Sequence, residues 1–358
     1  MAAMPVTDPF ERLRAIGWPD VPGLRAAAAG SRVARVVGQH RSGYDVAEAA
    51  GDLRRVQPPA AWTRPRGDPA ERAVVGDWVT LDAEGKHILT VLPRLALLKR
   101  AAAGEHYKQQ LIAANIDHVL VVCGLDNDFN PRRIERYLLI VQASGARPVL
   151  VLTKADQCEI LDDVLDVLEN ERLTGIPVHA VNAKDPASVA VLHPYLGAGL
   201  SAVLVGSSGA GKSTLTNTLL GIEKMKTNTV RANDQRGRHT TSHRALTPLP
   251  QGGCLIDTPG MRELKLSGDE DLAEGGFDDI EALAGSCRFS DCGHSNEPGC
   301  AVRTAIESGE LEEVRYASYC KLRDERDAAA VTLAQRRAEE KVIHKTFHKR
   351  LKDKYGRH

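Results

Sequence analysis

The sequence lacks any apolar run near the roughly 18 residues that a membrane-spanning helix needs, and its first residues lack the apolar core of a secretory signal. A soluble, cytoplasmic monomer with no membrane partner is expected. Net charge is also missing: 47 basic residues balance 47 acidic ones, so the chain as a whole is no polycation. Cysteine is sparse, and four of the seven (Cys123, Cys158, Cys254, Cys320) are scattered, as suits a reducing compartment and not a disulfide framework. What is present suffices for cores: 358 residues allow two or three domains, and 42% are hydrophobic.

The most specific segment is Gly206-Ser207-Ser208-Gly209-Ala210-Gly211-Lys212-Ser213, followed by Thr214. It fits the phosphate-loop pattern G-x-x-x-x-G-K-[ST] without a mismatch. The run Leu200 to Val205 before it suits a buried strand, and Ser213 to Leu220 reads as a helix start. Three glycines let backbone N–H groups turn inward as an anion nest at a helix N-terminus. Lys212 then supplies charge to the β- and γ-phosphates, and the Ser213 hydroxyl ligates Mg²⁺.

Partner motifs accompany it. Gly253 to Gly260 is an apolar strand ending in Asp257-Thr-Pro-Gly260; Asp257 suits Mg²⁺, and Gly260 offers its N–H to a γ-phosphate. The polar segment Lys226 to His243 between them reads as a switch loop, with Thr240 or Thr241 sensing the γ-phosphate. Thr153-Lys154-Ala155-Asp156 follows the apolar run Pro148 to Leu152. The Asp156 carboxylate can accept from guanine N1–H and N2–H₂, a pair adenine cannot offer, and Lys154 lies along the base plane. Val181-Asn182-Ala183-Lys184 falls where a second base-contacting loop belongs. The base motif precedes the phosphate loop, the reverse of the ordinary order, which implies a circularly permuted guanine-nucleotide switch binding GTP and GDP.

Two residues usual in such sites are missing. Thr153 stands where Asn is usual, which predicts one hydrogen bond fewer and weaker guanine preference. Met261 stands where a glutamine often orients the attacking water, which predicts slow intrinsic turnover. His239 is the nearest polar substitute and Arg238 can stabilise charge; both are equally consistent with solvent-facing loop residues.

A second specific pattern is Cys287-x₄-Cys292-x-His294-x₅-Cys300. Four soft or borderline ligands in so short and polar a segment favour a tetrahedral, structural Zn²⁺ site over a disulfide pair.

The remaining sequence suggests a division. Residues 1–30 hold Pro5, Pro9, Pro19 and Pro22 and read as a loosely held extension. Across 31–98 short alternating runs (Arg32 to Val37, Gly43 to Val46, Asp52 to Val56, Ala73 to Leu81, His87 to Leu92) suit a small barrel of about five strands. Arg54, Arg55, Arg64 and Arg66 flank Trp62 there, as consistent with RNA contact as with an unbound loop. Across 99–268 strand-like runs at His118 to Cys123, Pro148 to Leu152, Ile176 to Val181, Ala202 to Val205 and Cys254 to Ile256 alternate with helix-length segments, arguing for a mainly parallel sheet. Residues 269–358 hold the Cys/His pattern and an uneven charge. Asp269 to Glu281 carries seven acids and no Lys or Arg, while 336–358 carries nine Lys or Arg against three acids. That basic end is either an arm for RNA phosphates or a solvated helix.

Together with Ala113-Ala-Asn-Ile-Asp117, Asp128-Phe-Asn-Pro131, Arg136-Tyr137 and Arg238-His-Thr-Thr241, these motifs resemble the ribosome small-subunit-dependent GTPases of the RsgA type. The resemblance covers nearly the whole chain. It implies an N-terminal OB fold, a central circularly permuted P-loop GTPase domain and a C-terminal zinc domain. It implies, too, GTP hydrolysis stimulated by the small ribosomal subunit, a role in late maturation of that subunit, and rRNA contact that includes the basic terminus. Two rival readings are a P-loop ATPase or small-molecule kinase, which Asp156 opposes, and an RNA-binding scaffold with a vestigial nucleotide site, which intact Lys212, Ser213 and Asp257 oppose.

Overall fold

The structure is a computed structural model, and it describes residues 8, 10–40, 42–63, 69–101, 109–126, 128–170, 175–222, 245–257, 266, 268, 270–272, 276–295, 297–331 and 335. The chain divides into two units, residues 1–99 with 111–264, and residues 100–110 with 265–358.

The first unit opens with two short helices, α1 (Glu11–Arg14) and α2 (Pro22–Ala28). A loose extension is expected here from the prolines, and the described part differs. Leu13, Ile16, Trp18 and Leu24 are at most 2% exposed. Trp18 stacks on Phe10 and meets Trp78 edge-on, each at 4.8 Å. Pro22 does not break a helix because it starts one, in the first turn, where its missing N–H is no loss.

Five strands follow: β1 (Arg32–His40), β2 (Gly43–Ala47), β3 (Leu53–Val56), β4 (Trp78–Leu81) and β5 (Ile88–Val91). β1 pairs antiparallel with β2 and β4, β2 with β3, and β4 with β5. Gln57, just past β3, bridges His87, just before β5, in the parallel sense, so the pairing closes in a ring. Ala34, Val36, Val46, Val56, Val79 and Ile88 fill its core. The fourth strand is shorter than the run from Ala73 suggests. Asp77 is buried and accepts the Val74 N–H at 2.8 Å, turning the chain, while Arg94 binds its two oxygens at 2.9 and 2.8 Å. A two-stranded sheet absent from the sequence reading pairs β6 (Leu97–Ala101) with β7 (Gln109–Ala114).

The α/β part runs β8 (His118–Gly124), α3 (Pro131–Gln142), β9 (Arg147–Thr153), α4 (Leu161–Asn170), β10 (Val178–Val181), α5 (Pro186–Val189), β11 (Ser201–Val205), α6 (Lys212–Leu220), β12 (Ala245–Pro248) and β13 (Cys254–Asp257). Strand order is β10-β9-β8-β11-β13-β12, parallel except for β12. The near-continuous Val/Leu/Ile runs of β8, β9 and β11 are those of strands buried on both faces. β12 also pairs with β1 at Gly38↔Ala245, so one eleven-stranded sheet runs through both strand sets. Beside that junction the fully buried Arg35 donates to the carbonyls of Ile16 (2.5 Å), Gly76 (3.2 Å) and Asn115 (3.0 Å) and to Ser201 Oγ (2.7 Å). One guanidinium thus ties the N-terminal helices, the small-strand ring and the first residue of β11.

The second unit contains α7 (Asp278–Gly285), α8 (Ala301–Glu307) and α9 (313–331). Phe277, Ile280, Val302, Leu311, Tyr319 and Leu322 are buried in it. Part of the acidic run is used internally: Asp279 accepts from Arg315 at 3.0 Å and Glu281 from Tyr319 OH at 2.8 Å. Arg315 also lies over the Phe277 ring at 5.1 Å. The basic segment 336–358, Arg64 and Arg66 lie outside the described residues.

Candidate functional site

All five residues of β11 are buried, and the strand delivers the chain into Gly206 at the carboxyl edge of the parallel sheet. The loop beyond it depends on glycine at two points. Gly206 has φ +148, and a Cβ there would meet the Val122 carbonyl oxygen at 2.1 Å; Gly211 has φ +91, and a Cβ there would meet Thr153 Oγ1 at 3.1 Å. Gly211 caps α6, which begins at Lys212. The Lys212 ammonium curls over its own loop, donating to Gly206 O at 2.7 Å and to Ser207 O. Ser213 and Thr214 follow in the first turn, half-buried. Backbone amides, a lysine and a hydroxyl thus converge at one helix N-terminus, an arrangement suited to a polyphosphate.

Thr153 is the last residue of β9 and fully buried. Its hydroxyl donates to the Ala210 carbonyl at 2.6 Å, across 57 residues, and lies 3.4 Å from the Cys123 carbonyl. The expectation tied Thr153 to the base itself; the structure instead turns its hydroxyl toward the phosphate loop. Lys154 takes a left-handed conformation (φ 62) and pairs with Asp126. Ala155 and Asp156 open a short 3₁₀ turn, and Asp156 is exposed. The 181–184 loop is drawn in too: α6 reaches it through Thr218 Oγ1, which donates to Ala183 O at 2.6 Å.

Asp257 ends β13, which runs parallel to β11 and next to it, so its carboxylate and the phosphate loop leave the same sheet edge. Gly260, Met261, Arg238, His239, Thr240 and Thr241 lie outside the described residues.

Residues that sequence reasoning missed line this edge. Asp126 pairs with Lys154 of the base motif, Asp128 accepts from Ser207 of the phosphate loop, and Arg133 donates to Asp128. Burial raises the Asp126 pKa, but the Lys154 hydrogen bond and charge and the Asp128 amide outweigh it, so the carboxyl lies below its ordinary value. Burial pushes the neighbouring Cys123 thiol up to about 11, which keeps it protonated and inert. The signal for Asp128 was the Asp128-Phe-Asn-Pro131 motif, to which the sequence attaches no chemistry; Asp126 lies just ahead of it.

In the second unit Cys287, Cys292, His294 and Cys300 bring their donor atoms within 4.8 Å of one another. His294 Nδ1 lies 3.5 Å from both Cys287 Sγ and Cys300 Sγ, and the two sulfurs are 4.0 Å apart. That separation excludes a disulfide between them, whose S–S bond is about 2.05 Å. Zn–S bonds of about 2.3 Å and Zn–N bonds of about 2.05 Å put tetrahedral edges at roughly 3.8 and 3.5 Å, so the donor set is compatible with zinc. Glu297 shapes the turn, accepting from the Gly293 and Ser295 amides at 2.9 and 2.7 Å. Cys300 caps α8, its sulfur accepting the Arg303 N–H at 3.4 Å.

Comparison with known proteins agrees with this arrangement. Residues 91–267 match the model of the RsgA GTPase family. A protein of Xanthomonas euvesicatoria pv. vesicatoria named small ribosomal subunit biogenesis GTPase RsgA is 61% identical over 339 residues, 92% of this chain and 93% of that protein. A protein of the same name from Xanthomonas oryzae pv. oryzae is 61% identical over 343 residues, 93% of this chain and 94% of the relative. Among solved structures, YjeQ from Thermotoga maritima aligns with TM-score 0.57 and 27% identity over 81% of this chain and 96% of that one. YloQ, described as a circularly permuted GTPase, shares the fold at TM-score 0.57 and 22% identity, covering 83% of this chain and 96% of its own. Reversed motif order, loops joined at one sheet edge and close relatives agree: the chain belongs to the RsgA GTPase family and has the circularly permuted GTPase fold.

Proposed function

We propose that the protein hydrolyses GTP to GDP and phosphate while bound to the small ribosomal subunit, and that it acts in that subunit's late maturation. The observation that carries the nucleotide reading is the Thr153–Ala210 hydrogen bond, which joins the base-reading loop to the phosphate loop despite their reversed order. The ribosomal part rests on the name of the relatives at 61% identity.

In this reading Asp156 and Lys154 select guanine, and the loop from Gly206 to Thr214 binds the phosphates through its amides and Lys212. Thr153 secures the phosphate loop through its bond to Ala210, and with one hydrogen bond fewer than an Asn it leaves the preference for guanine weaker. Ser213 and Asp257 are the residues that would hold Mg²⁺, which supplies charge neutralisation at the β- and γ-oxygens. Thr240 or Thr241 and Gly260 sense the γ-phosphate, and His239 orients the water that Met261 cannot. Slow basal turnover follows, raised by the subunit.

The domain assignment is also ours: an extension over 1–30, an OB fold over 31–98, the GTPase domain over 99–268 and a zinc domain with a basic terminus over 269–358. The OB reading is supported by the ring of five strands closed by a parallel contact between the third and the fifth. Arg54 and Arg55, on β3 of this ring, and the basic end suit rRNA phosphates. Cys287, Cys292, His294 and Cys300 hold one structural Zn²⁺, with all four positions taken by protein and none open for chemistry.

The test is turnover of GTP by the purified protein with and without small ribosomal subunits, with ATP as control. Slow hydrolysis that rises strongly with the subunit is expected. Turnover absent under both conditions would reduce the protein to a scaffold, and equal use of ATP would remove the guanine assignment.

A further inference from the structure

β8 lies between β9 and β11 in the sheet, so its carboxyl end emerges between the base-reading loop and the phosphate loop. Beyond it, Asp126 and Asp128 send their carboxylates in different directions. Asp126 pairs with the Lys154 ammonium on one side and accepts the Asp128 N–H at 3.1 Å on the other. Asp128 has both oxygens 2.5 Å from Ser207 Oγ, whose single proton goes to one of them. It also receives Arg133 Nη1 at 2.5 Å and the Gly124 N–H at 3.3 Å. Gly124 leaves room for this, since a Cβ there would lie 2.7 Å from Asp126 Oδ1 and 3.3 Å from Lys154 Nζ.

We propose that Asp126 and Asp128 are positioning residues for the guanine nucleotide, Asp128 acting through Ser207 on the phosphate loop and Asp126 through Lys154 on the base. The proposal rests on the assignment of 153–156 and 206–213 as the base and phosphate loops. Ser207 sits between two glycines, Gly206 and Gly209, that leave the loop many conformations. Anchoring its side chain removes most of them before a ligand arrives, so the loop amides are set for phosphate at less entropic cost. Arg133 balances Asp128, so the anchor does not oppose an anionic ligand. Lys154 holds a left-handed backbone that a non-glycine residue keeps only when its surroundings fix it, and Asp126 is one such fixing contact. Because Asp126 also receives the Asp128 amide, the two anchors form one continuous brace.

The test measures affinities of the full chain for GDP, a non-hydrolysable GTP analogue and inorganic pyrophosphate. Ser207→Ala and Asp128→Ala are each expected to weaken all three by about tenfold, as for one hydrogen bond to a charged group. The double variant should be no worse than the weaker-binding single, and Asp128→Asn, which keeps an acceptor for Ser207, should restore most of the affinity. Asp126→Ala should weaken GDP more than pyrophosphate, because its Lys154 contact acts on the base side while Asp128 keeps its bonds to Ser207, Arg133 and Gly124. Unchanged affinities in folded variants, or additive losses in the double variant, would overturn the proposal. If Asp128→Ala does not fold, Ser207→Ala and Asp126→Ala decide alone. Lys212→Ala is the control: parental nucleotide binding in that variant would bring down the phosphate-loop assignment itself, whereas a loss there with no effect at Ser207, Asp126 or Asp128 removes only the brace.

Discussion

The sheet edge in the first unit and the Cys/His knuckle in the second are both short loops that gather charged or polarisable donors, but they are held in opposite ways. The sheet edge is fixed before any ligand arrives. Its loops leave strands buried on both faces and are cross-linked by Thr153 to Ala210, Lys154 to Asp126 and Ser207 to Asp128. In the knuckle the four donors are gathered within 4.8 Å of one another, and Cys292 and His294 are carried on a turn with little apolar burial around it. Where a core supplies rigidity, a ligand can come and go; where the donors themselves are the core, removing what binds them removes the fold.

That contrast can be broken most severely at the knuckle. Removing zinc with a chelator, or Cys292→Ala, should unfold 286–300 and admit protease there, with loss of one zinc per chain by atomic absorption. Structural zinc contributes about 10–16 kcal/mol in small zinc peptides, so the effect is large. GDP binding by the first unit should survive, and its loss would show that the two regions are not independent. Next in size is Lys212→Ala, expected to lower subunit-stimulated GTP turnover about 100-fold, as for removing one preorganised charge-stabilising donor, without lowering the melting temperature. Asp156→Ala should come third, cutting the preference for GDP over ADP by about tenfold or more in competition binding, with phosphate contacts intact. The smallest effect concerns pH. Asp126 titrates below its ordinary 3.8, so its contact with Lys154 contributes stability that is complete above that value and lost as pH falls through the lowered one. A melting series from about pH 5 to about pH 3 should therefore show a smaller loss for Asp126→Asn than for the parent.

Much of this was legible from residues alone, and the limits are instructive. The parallel strands were readable because a strand buried on both faces must be apolar throughout, as in Val119 to Val122 and Val149 to Leu152. The N-terminal segment was misread because prolines suggest looseness, whereas Leu13, Trp18 and Leu24 fold it down by burial. β12 was missed because a short strand ending in Pro248 carries no periodic signal; it exists because β13 and β1 offer it ladders on both sides. Thr153 stands in a motif whose local spacing points to the base, but the contact its hydroxyl makes is not local. Its actual partner, Ala210, is adjacent only once β9, β8 and β11 lie side by side.

The sequence by itself determined which patterns are present, those of a phosphate loop, a base-reading loop and a Cys/His knuckle, and that the order of the first two is permuted. These follow from local spacing, because a phosphate loop or a Cys/His knuckle is built from a few consecutive residues whose functional groups are set by type. Only the tertiary structure decided which loops share an edge, that Asp126 and Asp128 stand between them, and that β12 joins the small-strand ring to the parallel sheet. Those facts depend on strand order, which is chosen by burial summed over the whole sheet and is recorded in no single stretch of chain.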